Sequence, residues 1–302
     1  MRGAHDVRAH FDERADEYGT GGWHADYAAG LVAALTIEAT DTVVDAGAGT
    51  GTASTAIAAR LGPEGRVLAV DLSRRMLRHG RFETRPTGPV VAPIVADAVV
   101  LPLPDARVDV VVGSASLLYM PVARALGEWR RVLRPGGRVG FSTMREGHPP
   151  AARLFRSLAR EYGVELGDPA AGSGSETACA AALSSAGFGD VVIHSGTVRM
   201  GRADLEHSWT VHARLHREHL QARLDSNLLR HFEFAYRAAL DSRHLDMAAV
   251  EVLYATAVRP DRVRARSVRH RGPTRKQFPP TRFRTSSLRD SSNTVRPDLR
   301  SP

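Results

Sequence analysis

Apolar residues fall along this chain in short continuous runs separated by longer stretches of helical period. The runs are Val43-Val44, Val67 to Val70, Val90 to Val95, Val108 to Val112 and Val139 to Phe141. Runs of this length, apolar on both faces, read as buried parallel strands. Between them, helical spacing recurs. Phe11, Ala15 and Tyr18 share one face at i, i+4, i+7, and Tyr27, Leu31 and Leu35 share another. Leu126, Trp129 and Leu133 line one side of a helix predicted over 123–133. Alternating strands and helices predict an α/β fold with helices on both faces of the sheet. Met247 to Val258, with Val250, Val252 and Tyr254 in alternation, predicts a last strand that runs antiparallel.

Two strands end in acids, Asp45 and Asp71, and a third in Asp97. After the first comes Ala46-Gly47-Ala48-Gly49-Thr50-Gly51, where glycine permits φ > 0 and close backbone approach to a ligand. Thr50 or Thr52 is the expected cap of the following helix. Loop amides and the first helical turn are expected to aim N–H groups at an acidic part of a ligand. Thr52 stands where a dinucleotide fingerprint has its third glycine, and no Gly-Lys-Ser/Thr ending follows, which argues against nicotinamide dinucleotides and triphosphates. Asp71 lies 20 residues after Gly51, at the end of the second strand, where a carboxylate accepts from ribose hydroxyls.

Asp-x-Gly-x-Gly-x-Gly, with Ala-Asp-Ala before Leu101-Pro102-Leu103-Pro104-Asp105 and with Arg130-Arg131-Val132-Leu133-Arg134-Pro135-Gly136-Gly137-Arg138, resembles the class I S-adenosylmethionine-dependent methyltransferases. The likeness is to the small-molecule enzymes similar to those of ubiquinone and menaquinone biosynthesis. It spans roughly residues 10–258. It implies a Rossmann-like seven-stranded sheet of order 3-2-1-4-5-7-6, with S-adenosyl-L-methionine as cofactor and a small-molecule acceptor. The cofactor residues it implies are Asp45, Ala46, Gly47, Gly49 and Gly51, the ribose acid Asp71 with Leu72 and Met76, the adenine contacts Asp97 and Ala98, then Ser114, Ala115 and Tyr18. Trp23 would help Tyr18 close the pocket, and Tyr119 would line it. The Arg-Pro-Gly-Gly stretch would make the turn before strand five. No Asp/Asn-Pro-Pro-Tyr follows the fourth strand, which counts against a nucleobase nitrogen as acceptor. His148 and His24 are the candidate bases, and no other catalytic residue is evident.

The resemblance divides the chain into N-terminal cap helices over 1–40, a methyltransferase domain over 41–258 and a basic tail over 259–302. A helical insertion at about 196–247 would cap the acceptor site. The insertion is rich in histidine: His207, His212, His216, His219, His231 and His244. His212, His216 and His219 are expected on one solvated helix face, with no metal.

Composition changes the picture in three places. Cys179 is the one cysteine of 302 residues, so an intrachain disulfide and a multi-cysteine zinc site are excluded. No apolar run approaches the ~20 residues of a membrane span, and no apolar leader is visible, so a cytoplasmic protein is expected. The formal charge of +8 sits in the tail. Residues 259–302 hold 13 Lys and Arg against 3 Asp and Glu, or +10, leaving −2 for the rest. That tail, poor in aliphatic residues, is expected to be disordered. It keeps two alternatives open: an RNA or protein methyltransferase recruited by basic charge, and a non-catalytic cofactor-binding module.

Overall fold

The computed structural model describes residues 4–16, 18, 22–80, 82, 87–243 and 248–261. The expected tail beyond Asp261, and His244, lie outside the described residues. Seven strands form one sheet, β3-β2-β1-β4-β5-β7-β6. They are β1 (Thr42–Ala46), β2 (Arg66–Asp71), β3 (Val90–Val95), β4 (Val108–Ser114), β5 (Leu133–Met144), β6 (Gly189–Arg199) and β7 (Ala249–Val258). β1 to β5 pair in parallel, and β7 inserts antiparallel between β5 and β6. This is the Rossmann-like order anticipated from the resemblance.

The helices are α1 (Ala4–Arg14), α2 (Trp23–Ala34), α3 (Thr52–Ala58), α4 (Arg74–His79), α5 (Val122–Val132), α6 (Pro150–Glu161), α7 (Glu176–Ser185), α8 (Arg202–Leu215), α9 (Arg217–Gln221) and α10 (Ser226–Ser242). The two-residue period of the strands sorts the core. Val44 and Val111 face α5 and α7, in a layer with Leu126, Trp129, Cys179 and Leu183. Val43, Val110 and Val112 face the other way, toward Tyr27, Leu31, Ala53 and Ile57 of α2 and α3. A third apolar cluster lies apart from the sheet: Phe155 of α6 meets Trp209, Phe232, Tyr236 and Leu240 of α8 and α10. There Tyr236 shares a hydrogen bond with Ser208 at 2.8 Å, which satisfies a buried hydroxyl.

Several local expectations are revised. Neither Thr50 nor Thr52 caps α3; Gly51 stands at the N-cap in the left-handed region, φ 85°. The Pro-Gly-Gly stretch turns inside β5, where Gly136 takes φ 74° and the register with β4 shifts between Leu133 and Arg138. α5 ends at Val132, and β5 begins at Leu133 and runs through Pro135, Gly136 and Gly137. The α5 end is closed instead by Arg259, whose Nη1 donates to the carbonyls of Arg130 (2.8 Å), Arg131 and Leu133. A cation there also suits the negative end of the helix dipole. β6 continues to Arg199, so the helical insertion starts at Arg202 rather than near 196. Its histidines do not share one solvated face. The helix breaks at His216, and His212 and His216 pack on the Phe155 ring at 5.4 and 6.0 Å.

Candidate active site

Strand order reverses between β1 and β4, which opens a crevice at their carboxyl ends. A cavity of about 300 Å³ fills it. Gly47, Gly49, Asp71, Leu72, Met76, Asp97, Ala98, Ser114, Ala115 and Tyr18 all line it, as does Tyr119. One crevice therefore collects residues from five separated segments of sequence.

The glycine bend is held from below. The Gly47 and Ala48 amides donate to the Val70 carbonyl at 2.8 and 2.9 Å, and the Gly49 amide donates to Asp71 Oδ2 at 2.8 Å. The Gly47, Ala48 and Gly49 amides are thus spent on β2 and its acid rather than left for a ligand. What the bend offers a ligand is bare backbone. Gly47 has φ 80°, and a Cβ there would sit 2.5 Å from the Ser116 Cβ. Gly49 has φ 56°.

Asp71 accepts a second bond from the Ser73 amide at 2.8 Å. Burial raises its pKa, and the nearby Asp12 adds to that, while the two amide bonds oppose it. The Ser73 hydroxyl caps α4 by accepting from the Met76 amide (2.9 Å) and donates to Asp12 of α1 at 2.5 Å. The same hydroxyl so ties the cavity floor to its lid. Asp16 of the α1 end receives Arg75 at 2.6 Å and His79 at 2.9 Å, a second clamp onto α4.

Asp97 forms an Asx turn by accepting from the Val99 amide at 2.8 Å. The segment after it is stapled to α5: the Trp129 indole donates to the Ala98 carbonyl (3.0 Å), and Arg131 donates to Leu101 and Leu103 carbonyls. Arg131 is itself gripped by Glu128 and Asp105 at 2.7 and 2.6 Å. At the end of β4, Ala115 adopts φ 51°, held by its amide bonding to Ser142 Oγ at 3.1 Å. A non-glycine residue in that region stores strain, and such residues gather at ligand sites.

Three expected cofactor residues do not line the cavity. Asp45 is fully buried and accepts from Ser54 Oγ at 2.6 Å, fastening α3 to β1. Burial pushes its carboxyl up to about 6. Ala46 offers its carbonyl to Ser116 Oγ at 2.6 Å, and Gly51 faces the Phe82 ring. All three shape the loop from behind.

The candidate bases are also elsewhere. His148 Nδ1 accepts from the Glu251 amide at 3.2 Å, its Nε2 lies 3.8 Å from the Glu251 carboxylate, and burial lowers its pKa. It belongs to the β7 border. His24 stacks between Trp23 (3.8 Å) and Tyr18 (5.1 Å), one ring removed from the cavity. Trp23 packs with the α2 core rather than closing the pocket. Tyr18 does border it, and burial pushes its hydroxyl up to about 12.

Within the expected N-terminal cap helices, Ala4, Val7 and Arg8 are lining residues that the sequence reading does not single out. Ala4, Val7, Arg8 and Phe11 of α1 line the cavity, and Phe11 meets Tyr119 at 5.0 Å and Tyr18 at 5.9 Å, edge to face. The signal was there: 4, 7, 8 and 11 form one helical face, but the period was read only from residue 10 onward. Arg124, in the first turn of α5, had no pattern to reveal it.

Residues 43–137 match the family model described as a methyltransferase domain. That stretch is the crevice-forming half of the sheet. Over that stretch the chain is similar to methyltransferase domains. Over 136 residues the chain is 37% identical to the ubiquinone/menaquinone biosynthesis C-methyltransferase UbiE of Burkholderia mallei. The match covers 45% of this chain and 56% of the relative, so the chain spans little more than half the length of the curated relatives it matches. A chain from the Haloferax volcanii complex between the Trm112 methyltransferase activator and a methyltransferase superposes with TM-score 0.53 and 21% identity. That superposition covers 84% of this chain and 98% of the other, and it extends the fold likeness across β6 and β7. The matched stretch thus supplies the glycine bend, Asp71 and Asp97, while α1 brings a wall of its own. Among the described residues no helix is long and apolar enough to cross a membrane, and no group of His, Cys, Asp and Glu is placed to hold a metal.

Proposed function

We propose that this chain transfers the methyl group of S-adenosyl-L-methionine to a small-molecule acceptor. The observation that carries the reading is the convergence of Gly47 and Gly49, Asp71 and Asp97 on one cavity. The residues fit the donor chemically. Bare backbone at Gly47 and Gly49 admits the methionine part, and Asp71 offers carboxylate oxygens to ribose hydroxyls. Asp97 with the Ala98 amide suits the adenine edge, and Leu72 and Met76 its face. Phe11, Tyr18 and Tyr119 close over the crevice.

The sulfonium, when bound, supplies an already activated methyl group. The chain's task is then to fix the acceptor in line and keep water out. Positioning of this kind contributes roughly 7–11 kcal/mol. The name of the Burkholderia relative supports a carbon atom of a quinone-like acceptor, and oxygen or nitrogen acceptors suit the same geometry. A soluble, cytoplasmic enzyme is the matching expectation.

The test is incubation of the full chain with methyl-labelled S-adenosyl-L-methionine and fractionated metabolite extracts. Label entering an organic-soluble small molecule, with stoichiometric S-adenosylhomocysteine, is the predicted result. Label entering only RNA or protein would move the acceptor to a different class, and no turnover with any fraction would leave a binding module.

A further inference from the structure

A second cavity, of about 270 Å³, adjoins the first. Val7 and Tyr119 belong to the walls of both. Its remaining walls come from outside the sheet: Leu118, Leu166 and Pro169, then Leu215 at the end of α8. Three imidazoles also face it, His10, His216 and His219, and no carboxylate among the described residues lines it. We propose that this cavity receives the methyl acceptor, and that His216 takes the acceptor's proton. The proposal rests on the methyltransferase reading above.

The walls define the acceptor class. Apolar side chains favour a molecule of low charge. Imidazoles in such a wall are suited to a partner with an exchangeable proton. An apolar molecule bearing one acidic hydroxyl, of phenol or enol type, satisfies both.

Geometry selects among four histidines. His212 lies outside the lining, and burial holds it neutral, its pKa pushed down to about 3. His10 shares a 3.2 Å hydrogen bond between its Nε2 and Arg14 Nη1, which fixes that nitrogen as acceptor toward a guanidinium. His219 is exposed on α9. His216 is half-buried, stacked on Phe155 at 6.0 Å and 22°. It sits in the break between α8 and α9 with φ −109° and ψ 17°, close to the sparsely allowed bridge region common among active-site residues. Its amide bond to the His212 carbonyl (3.0 Å) holds that break.

The groups that face it from the neighbouring elements are imidazoles and ion-paired guanidinium groups. His212 of α8 and His219 of α9 flank it, and α1 contributes His10 and Arg14. α6 contributes Arg156, which is paired with Asp168 at 2.8 Å, and Arg217 lies 3.9 Å from Glu13. An imidazole that takes the proton beside the bound hydroxyl eases its ionisation. The step balances as follows. The hydroxyl proton passes to an imidazole nitrogen of His216. The oxyanion's electron pair forms the new bond to the methyl carbon as the sulfur–methyl bond breaks, its pair staying on sulfur as a neutral thioether. The imidazolium then returns its proton to solvent.

The probe is 4-nitrophenol, whose ionised form is yellow, titrated into the full chain saturated with S-adenosylhomocysteine. The expected result is that the bound probe ionises about one pH unit below the free probe, a tenfold shift. His216→Gln should abolish that shift, with S-adenosylhomocysteine affinity by calorimetry kept within about twofold, whereas the exposed His231→Gln should retain it. Leu215→Trp, which fills the cavity while all three imidazoles are retained, should prevent probe binding. An unshifted titration in the unmodified chain, the same shift in His216→Gln, or displacement of the probe by S-adenosylhomocysteine would overturn the proposal. Failure of S-adenosylhomocysteine to bind would instead strike at the methyltransferase reading, because the probe reports on the second cavity alone.

Discussion

Where β1, β2 and β4 end, the cavity wall is largely backbone, and the amides of Gly47, Ala48, Gly49 and Ala115 are tied to neighbours at 2.8 to 3.1 Å. The lobe of α6, α8 and α10 is a wall of side chains, with the Trp209, Phe232 and His216 rings 4.9 to 6.0 Å from Phe155. The first wall is specified by hydrogen-bond direction and by φ values that only a few residues adopt. The second is specified by volume. A hydrogen-bonded rim tolerates almost no substitution but depends little on what packs elsewhere. A packed lobe tolerates many apolar exchanges but fails as a unit when its centre is emptied.

The largest expected effect separates the two regions directly. Trp129→Ala and Phe155→Ala each remove a fully buried ring, at about 3–5 kcal/mol. Trp129 also anchors the Ala98 carbonyl, so its loss should weaken S-adenosylhomocysteine binding as well as stability. Phe155→Ala should lower stability as much yet leave that affinity within about twofold. Paired denaturation and calorimetry check this, and equal losses of affinity would erase the distinction.

Asp45→Asn comes next. The folded pKa of Asp45, about 6, lies above its ordinary 3.8. The unfolded chain therefore releases this proton first as pH rises. The stability it confers is full below 3.8 and is lost as pH rises through 6. An asparagine keeps an acceptor for Ser54 without the buried charge. Asn should thus stabilise the chain at pH 7.5 by up to about 3 kcal/mol, and hardly at all at pH 4, as thermal melts at the two pH values will read. A gain at pH 4 equal to that at pH 7.5 would show that charge is not the cause. The smallest effect belongs to the lid clamp. Arg75 and Asp16 are both half exposed, so Arg75→Ala should cost under about 1 kcal/mol and diminish further in salt.

The same contrast explains what could be read from the chain beforehand. Asp71, Asp97 and the glycine bend were legible because strand ends and φ-permissive residues announce themselves locally. Asp45 was misplaced for a related reason: an acid after a buried strand looks the same whether it meets a ligand or, as here, the hydroxyl of Ser54. The φ of Ala115 left no trace in sequence, since it is imposed by Ser142, 27 residues away. The histidines of the insertion were assigned to solvent because helical period places them relative to each other, not relative to Phe155 on another helix. His148 was chosen for its loop, and a long-range contact with Glu251 claimed it.

The measurement that reaches the centre of the account is calorimetric titration of S-adenosylhomocysteine into the unmodified chain and into Asp71→Ala. The account predicts one site per chain, with affinity reduced more than about tenfold in the variant, about 1.4 kcal/mol. Absence of binding to the unmodified chain, or equal affinity in a variant that melts like it, would contradict the assignment of this crevice to an adenosyl ligand.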